Sequence, residues 1–167
     1  MGVYRILFAG VALLFSLATS DPSSAQDRGW GLGLIVGEPT GITAKNWISD
    51  GRAFDAAVAW SFSGYDSFQI HADYLFHNST WQESTDLEGR FPLHYGIGAR
   101  IKLGTDIDGV RGARADRRIG VRIPGGIAYY IPDAPIEVFV EIVPLLDIVP
   151  ATHFDLNAAI GARYFFD

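Results

Sequence analysis

The side chains best suited to chemistry are the histidines and their acidic neighbours. His71 and Asp73 lie two residues apart, so in an extended strand both point to the same side. Together with His94 they offer two imidazoles and one carboxylate, a ligand set that can hold a divalent metal. The spacing is not diagnostic, and an interior His–Asp hydrogen bond accounts for the same residues. Pairing residue 77 with residue 90 would place Asp73 opposite His94, so we expect that hydrogen bond and no metal or other cofactor.

A second pattern is compatible with hydrolysis. His77 precedes Ser79 by two residues, which supplies a base and a nucleophile. Catalysis also needs an acidic group that orients the base. Glu83 and Glu88 are the nearest acids, but they lie in a predicted loop, so we predict that the protein is not an enzyme and keep a hydrolase as an alternative.

Composition and the first residues define the class of protein. The 167 residues include 13 Lys+Arg and 19 Asp+Glu, and the net charge of −6 argues against a nucleic-acid-binding protein. There is no cysteine, which excludes disulfides and thiolate metal sites. Residues 1–25 combine Arg5, an apolar run and small residues at a cleavage position, so we predict a signal peptide. Residues 26–167 then form a single domain.

Alternating apolar and polar residues fill this domain and predict strands instead of helices. Turn signals rich in Gly, Pro, Asp and Ser separate the strands, and most connections suit an antiparallel meander. An apolar stretch at 144–152, bounded by prolines, is predicted to be a loop. The predicted strands are at about 29–37, 40–48, 53–62, 67–77, 90–103, 118–131, 136–143 and 153–166. The fold class is therefore all-β, an eight-stranded antiparallel up-and-down barrel, because closure leaves no exposed sheet edge.

Two kinds of barrel fit this pattern. One face of each predicted strand is apolar and carries no Lys, Arg, Asp or Glu. A soluble lipocalin-like barrel would turn that face inward around an apolar ligand, whereas a transmembrane barrel turns it toward lipid. Glycines concentrate on the polar face, where a narrow barrel needs small residues, and aromatic residues lie near strand ends. These features favour a monomeric barrel in the outer membrane, with a soluble periplasmic barrel as the alternative.

The polar face carries five basic and five acidic side chains, which balance each other. Buried charges must be paired, so this balance favours a closed interior and a plugged lumen. A small gated channel is a further alternative. With two histidines, these side chains form the predicted lumen charge network: Lys45, Asp55, His71, Asp73, His94, Arg100, Lys102, Arg122, Glu137, Glu141, Asp155 and Arg163.

Several short motifs carry a resemblance to known barrels. They are Gly-Glu-Pro-Thr-Gly (37–41), Ala-Lys-Asn-Trp (44–47), Asp-Tyr-Leu-Phe-His (73–77), Tyr-Gly-Ile-Gly-Ala-Arg (95–100) and Gly-Val-Arg-Ile-Pro-Gly-Gly (120–126). Taken as a whole, residues 29–166 resemble a small eight-stranded outer-membrane barrel of the OmpA/OmpX type. The motifs are similar to those of an uncharacterised family of small exported barrel proteins of double-membraned bacteria. The resemblance implies a fold and a location and no catalytic residues, although the His-x-Ser spacing also occurs in outer-membrane lipid hydrolases.

Four arginines mark a candidate anion-binding loop at about 104–117 and its border: Arg111, Arg114, Arg117 and Arg118. Guanidinium groups bind phosphates through paired hydrogen bonds, so lipopolysaccharide or another surface partner is a candidate ligand. Nearby acidic residues offset this charge, and a solvated loop explains the cluster equally well. We therefore predict a structural or surface-interaction role through the loops.

Overall fold

The computed structural model describes residues 28–61, 67–80, 89–105 and 115–166. Outside these residues lie the predicted signal peptide, Arg111 and Arg114, and most of the loop that contains Glu83 and Glu88. Within the described ranges, no helix is long and apolar enough to cross a membrane. The described residues form nine strands: β1 (Trp30–Gly37), β2 (Thr40–Ser49), β3 (Arg52–Ser61), β4 (Ser67–Asn78), β5 (Leu93–Thr105), β6 (Ala115–Arg122), β7 (Gly125–Tyr130), β8 (Ile136–Val149) and β9 (His153–Phe166).

These strands make one antiparallel sheet that closes on itself. Strands β1 to β5 pair in chain order, and β8 pairs with β9. The ring closes because β1 also pairs with β9, with Trp30 opposite Phe166 and Gly37 opposite Ala159. We call the end with Trp30 and Phe166 the termini end of the barrel, and the opposite end the far end.

Strands β6 and β7 together form one wall position. Both pair with β5 in the same register, since Arg122 lies opposite Gly98 and Gly125 lies opposite Tyr95. Pro124 interrupts the ladder between them because it has no N–H to donate. The barrel therefore has eight strand positions, as predicted.

Strand β8 is longer than the sequence predicted. It continues to Val149, so the predicted loop at 144–152 is wrong for residues 144–149, and the connection is limited to residues 150–152. The backbone N–H of Ile123 donates to the Pro144 carbonyl at 3.0 Å, next to the interruption at Pro124. At that point the hydrogen-bond ladder of β8 with β6 and β7 is already interrupted. A proline, which has no N–H, therefore loses little hydrogen bonding there. The extension brings Asp147 into the barrel wall.

The apolar face of the barrel points outward. Leu34 is 62% exposed and Ile97 is 58% exposed, whereas charged residues of the same sheet are buried inside. The alternative of a soluble lipocalin-like barrel, which requires the apolar face inside, is therefore wrong. Near the termini end, adjacent aromatic rings on the outer face contact one another with centroids 5.1–5.6 Å apart: Phe54, Tyr74, Phe76 and Tyr95. Such a belt is typical of a membrane interface.

Two arginines lie on this outer face, at opposite ends of the barrel. Arg52 starts β3 and pairs with Phe76, while Arg117 lies in β6 and pairs with Leu103. Both are exposed. Because these strands begin earlier than predicted, the outer face is not free of charge, but the described charges on it are confined to the rims.

Candidate functional site

The interior of the barrel holds the largest group of polar side chains. Of the predicted lumen charge network, the structure buries all members except Lys102 and Asp155, which are partly exposed near the far end. Four cations organise this interior, and each has at least one carboxylate partner: Lys45, Arg163, Arg122 and Arg100.

Lys45 forms the centre nearest the termini end. Its Nζ lies 2.7 Å from Glu137 Oε1, 2.9 Å from His77 Nε2 and 3.2 Å from the Tyr130 hydroxyl. The Tyr130 hydroxyl in turn donates to Glu137 Oε1 at 3.1 Å. All three ammonium protons therefore have acceptors, which compensates for the loss of water around a buried charge.

Arg163 forms the second centre. Its Nη1 donates to Glu137 Oε2 at 3.2 Å, and its Nη2 pairs with Asp55. Thr43 links Arg163 to Asp55, since its Oγ1 accepts a hydrogen bond from Arg163 Nη2 at 2.9 Å and donates one to Asp55 Oδ1 at 3.0 Å. The guanidinium carbon lies 3.9 Å from the centroid of the Phe139 ring, a cation–π contact. Glu137 thus bridges Lys45 and Arg163 into one network.

Arg122 and Arg100 occupy the remaining interior toward the far end. Arg122 Nε donates to both carboxylate oxygens of Asp73 at 2.9 and 3.1 Å, and its Nη2 lies 3.6 Å from Glu141. Arg100 binds Asp147 through two parallel hydrogen bonds, from Nε to Oδ1 at 3.0 Å and from Nη2 to Oδ2 at 2.9 Å. This bidentate geometry is the strongest form of the Arg–carboxylate pair.

The strongest pair at each centre crosses the lumen instead of running along neighbouring strands. Lys45 of β2 reaches β8, Arg163 of β9 reaches β3, Arg122 of β6 reaches β4, and Arg100 of β5 reaches β8. In each case the two strands are not hydrogen-bonded neighbours in the sheet. The interior side chains therefore tie together walls that the backbone does not connect directly.

The predicted network left out four members, Asp147, Thr43, Tyr130 and His77, of which His77 was considered as a catalytic base. Asp147 was placed in the predicted loop at 144–152, although its alternation with Leu145 and Val143 continues the buried face of β8. Thr43 and Tyr130 are uncharged, so they were not included in a network predicted from charged side chains and histidines. Their positions on the polar face of their strands were the available signal, because a buried hydroxyl must find a partner.

Aromatic rings fill much of the space that the ion pairs leave. Phe165 lies against Gly31, where an added Cβ would come within 2.8 Å of the ring, and Phe139 covers Gly161 in the same way. Tyr130, Phe139 and Phe165 belong to one buried cluster. The glycines of the polar face are thus needed for space, as predicted.

The predicted pairing around the histidines is wrong by four residues. Asp73 lies opposite Gly98, and His94 lies opposite His77. The carboxylate of Asp73 is bound by Arg122, so the expected His–Asp hydrogen bond does not form. The connection between β4 and β5 is too long to fix a register, which explains the error. Among the described residues, no three His, Asp or Glu side chains are placed to hold a metal ion.

His77 and Ser79 are placed differently from each other. The His77 ring contacts Lys45 inside the barrel and lies 4.5 Å from the Trp47 ring centroid. Ser79 follows the end of β4 and is exposed. Within the described ranges, the hydrogen bond of His77 is to Lys45 and none is to Ser79. The geometry gives no support to a His–Ser catalytic pair.

The predicted anion-binding loop is divided by the sheet. Arg117 and Arg118 both lie in β6, where consecutive residues point to opposite faces. Arg117 is exposed on the outer face, whereas Arg118 pairs in register with Lys102 on the inner side. Arg111 and Arg114 are outside the described residues. The described part of the cluster therefore does not form one surface.

A family comparison fits this architecture. A family model described as a protein of unknown function, DUF3996, matches residues 21–164. The chain belongs to this family. The match spans all nine strands except the last two residues of β9, so family membership concerns the fold as a unit. No curated protein matches the chain in sequence.

Two solved structures are similar to the barrel. The N-terminal β-barrel domain of Pseudomonas aeruginosa OprF has a TM-score of 0.63 at 12% identity, covering 82% of this chain and 96% of that one. Neisserial surface protein A has a TM-score of 0.54 at 12% identity, covering 82% of this chain and 93% of that one. At this identity the likeness concerns the fold. It confirms the predicted eight-stranded barrel and its resemblance to small outer-membrane barrels.

Proposed function

We propose that the protein is a non-enzymatic, monomeric outer-membrane barrel whose lumen is plugged by its own side chains. Its role is structural, or it contacts surface partners through its loops. The observation that carries this proposal is the set of ion pairs that cross the lumen inside a wall with an apolar outer face. A lipid-facing exterior and a polar, side-chain-filled interior together define a small membrane barrel.

The plugged lumen follows from the energetics of the interior. Eight strands enclose only enough space for packed side chains. Charges removed from water are costly unless they are paired and hydrogen-bonded, and the four interior cations have carboxylate partners. Opening a water path would require several of these pairs to separate at once. This supports a closed barrel over the small gated channel.

We also propose an orientation of the barrel in the membrane. An even number of strand positions places both termini at the same end of the barrel. We assign the termini end to the periplasm, so that the connections after β1, β3, β5 and β8 face outward. The long connection between β4 and β5 is partly held against the wall, since Arg90 forms a bridge with Tyr130 and its guanidinium covers that ring at 4.5 Å. This reduces its length as a periplasmic loop.

Orientation and location can be tested with single cysteines, because the natural chain has none. Thr152→Cys lies in the exposed connection at the far end, and Asp50→Cys lies in an exposed turn at the termini end. In intact cells we expect a membrane-impermeant maleimide to label Thr152→Cys and to label Asp50→Cys only after lysis. The opposite pattern would reverse the orientation. Labelling of both variants only after lysis would refute surface exposure.

The plugged lumen can be tested by electrical recording. The barrel is reconstituted into planar lipid bilayers, and a general-diffusion porin in the same membrane serves as the positive control. We expect no step conductance for the wild-type barrel, because its cross-lumen ion pairs leave no open water path. Heat-modifiable mobility of the recovered protein shows that folded barrel was present. Regular conductance steps from such samples would refute the plugged lumen and favour the channel.

A further inference from the structure

A groove of about 360 Å³ lies on the outer face of the barrel near the far end. We call it the rim groove. Three adjacent strands, β4, β5 and β6, supply its walls. The lining residues are Phe68, Ile70, Ile101, Leu103, Arg117 and Ile119. Five of the six are apolar, and Arg117 is the charged one.

Strand register explains the arrangement of the rim groove. Phe68 lies opposite Leu103, which lies opposite Arg117, so these three residues form the row nearest the rim. Ile70, Ile101 and Ile119 form the next row toward the middle of the barrel. The guanidinium is therefore at the rim end of the groove, and the branched apolar side chains extend from it toward the bilayer centre.

Beyond the second row of the groove, the outer face carries a row of smaller side chains: Ala72, Ala99 and Val121. Ala72 and Ala99 lie opposite each other in the third row, and both are exposed. Their small side chains leave the wall lower than the flanking rows. From Leu103 to Ile97 the surface follows seven residues of β5, about 20 Å along an extended strand. This length and shape suit an extended acyl chain lying along the wall.

The charge at the head of the groove indicates what kind of lipid fits. Arg117 is exposed on a lipid-facing surface, and among the described residues no ion pair to its guanidinium is formed within 4 Å. A cation on the lipid face is unfavourable, and less so near the interface. A phosphate at this level would pair with the guanidinium through charge-assisted hydrogen bonds. Charge and shape thus point to the same kind of molecule.

We propose that the rim groove binds the phosphorylated glycolipid of the outer leaflet, lipid A. Arg117 donates to a lipid A phosphate, and an acyl chain covers Ile70, Ile101 and Ile119. The choice of this lipid rests on the proposed function, which places the far end in the outer leaflet. The site is a groove in the wall, and Arg117 is the residue that it has in common with the loop cluster that the sequence suggested.

The test measures lipid binding to the folded full-length mature barrel in neutral detergent micelles by native mass spectrometry. The probes are diphosphoryl lipid A, its dephosphorylated form and phosphatidylglycerol. We expect one tightly held diphosphoryl lipid A per barrel. Binding should be about tenfold weaker for the dephosphorylated form and for Arg117→Ala, since a charge-assisted hydrogen bond to phosphate is lost. Ile119→Trp, which fills the groove, should weaken binding by a similar factor.

Two variants serve as matched controls. Arg52→Ala removes the other outward arginine, at the opposite rim, and Leu34→Trp adds the same ring to β1, which does not line the groove. Both should bind as the wild type does. Equal losses for Arg117→Ala and Arg52→Ala, no effect of Ile119→Trp, or equal binding of phosphatidylglycerol would overturn the proposal. Heat-modifiable mobility of each variant separates a failure of this site from a failure of the barrel itself.

Discussion

Replacing Arg163 by methionine is expected to destabilise the folded barrel by about 3–5 kcal/mol, the range for removing one partner of a buried ion pair. Arg163 is bound to Asp55, Glu137 and Thr43 inside the lumen. Without the guanidinium, Asp55 keeps only a hydroxyl partner among these groups, and its charge remains buried. The free energy of unfolding is measured by urea titration in lipid vesicles, with tryptophan fluorescence as the probe.

Two further variants identify the cause of this loss. Arg52→Met removes an exposed arginine and should change the free energy of unfolding by no more than about 0.5 kcal/mol. Adding Asp55→Asn to Arg163→Met should recover part of the stability, because the unpaired buried charge is then gone. If Arg163→Met were no more harmful than Arg52→Met, the lumen network would not be a source of stability.

An arginine in place of Ile160 is expected to cost about 2–4 kcal/mol when the barrel is folded in a bilayer. Ile160 is 51% exposed in the middle of β9, on the apolar outer face. Phe154 is 65% exposed on the same face of β9 but close to its far end. Phe154→Arg should therefore cost only about 0–1 kcal/mol, because an arginine near the interface reaches water.

The comparison between these two variants matters more than either value. Both variants add the same side chain to the same strand and face, and they differ in depth in the bilayer and in the apolar residue replaced. The measurement is the free energy of unfolding in phospholipid vesicles, repeated with the wild type. Equal costs at the two positions would contradict a lipid-facing outer wall, whatever their size.

The inside and outside of the wall could be predicted from the sequence because strand side chains alternate with a period of two. Once the apolar face was assigned to lipid, the orientation of Lys45, Asp55 and Arg163 followed from parity alone. The same parity would have placed Asp147 inside had β8 been extended past Pro144. A proline normally ends a strand, and only the broken ladder beside Pro124 makes it harmless here.

The partners of each charge could not be predicted. Which side chains meet across a barrel depends on the stagger of its strands, and a long connection such as the one between β4 and β5 leaves that stagger open. The sequence therefore identified Asp73 and His94 as interior groups but paired them incorrectly. Arg117 was identified as a basic residue near a loop, whereas its place on the outer wall depends on where β6 begins.

The ion pairs that cross the lumen also constrain how the barrel is assembled. Arg163 of the last strand pairs with Asp55 of the third strand, and Arg100 of β5 pairs with Asp147 of β8. Each of these pairs can form only after the later strand has joined the sheet. A half-inserted sheet would expose these charges to lipid without their counterparts. We therefore expect insertion into the membrane and closure of the ring to occur together, so that no partly built wall persists within the hydrocarbon.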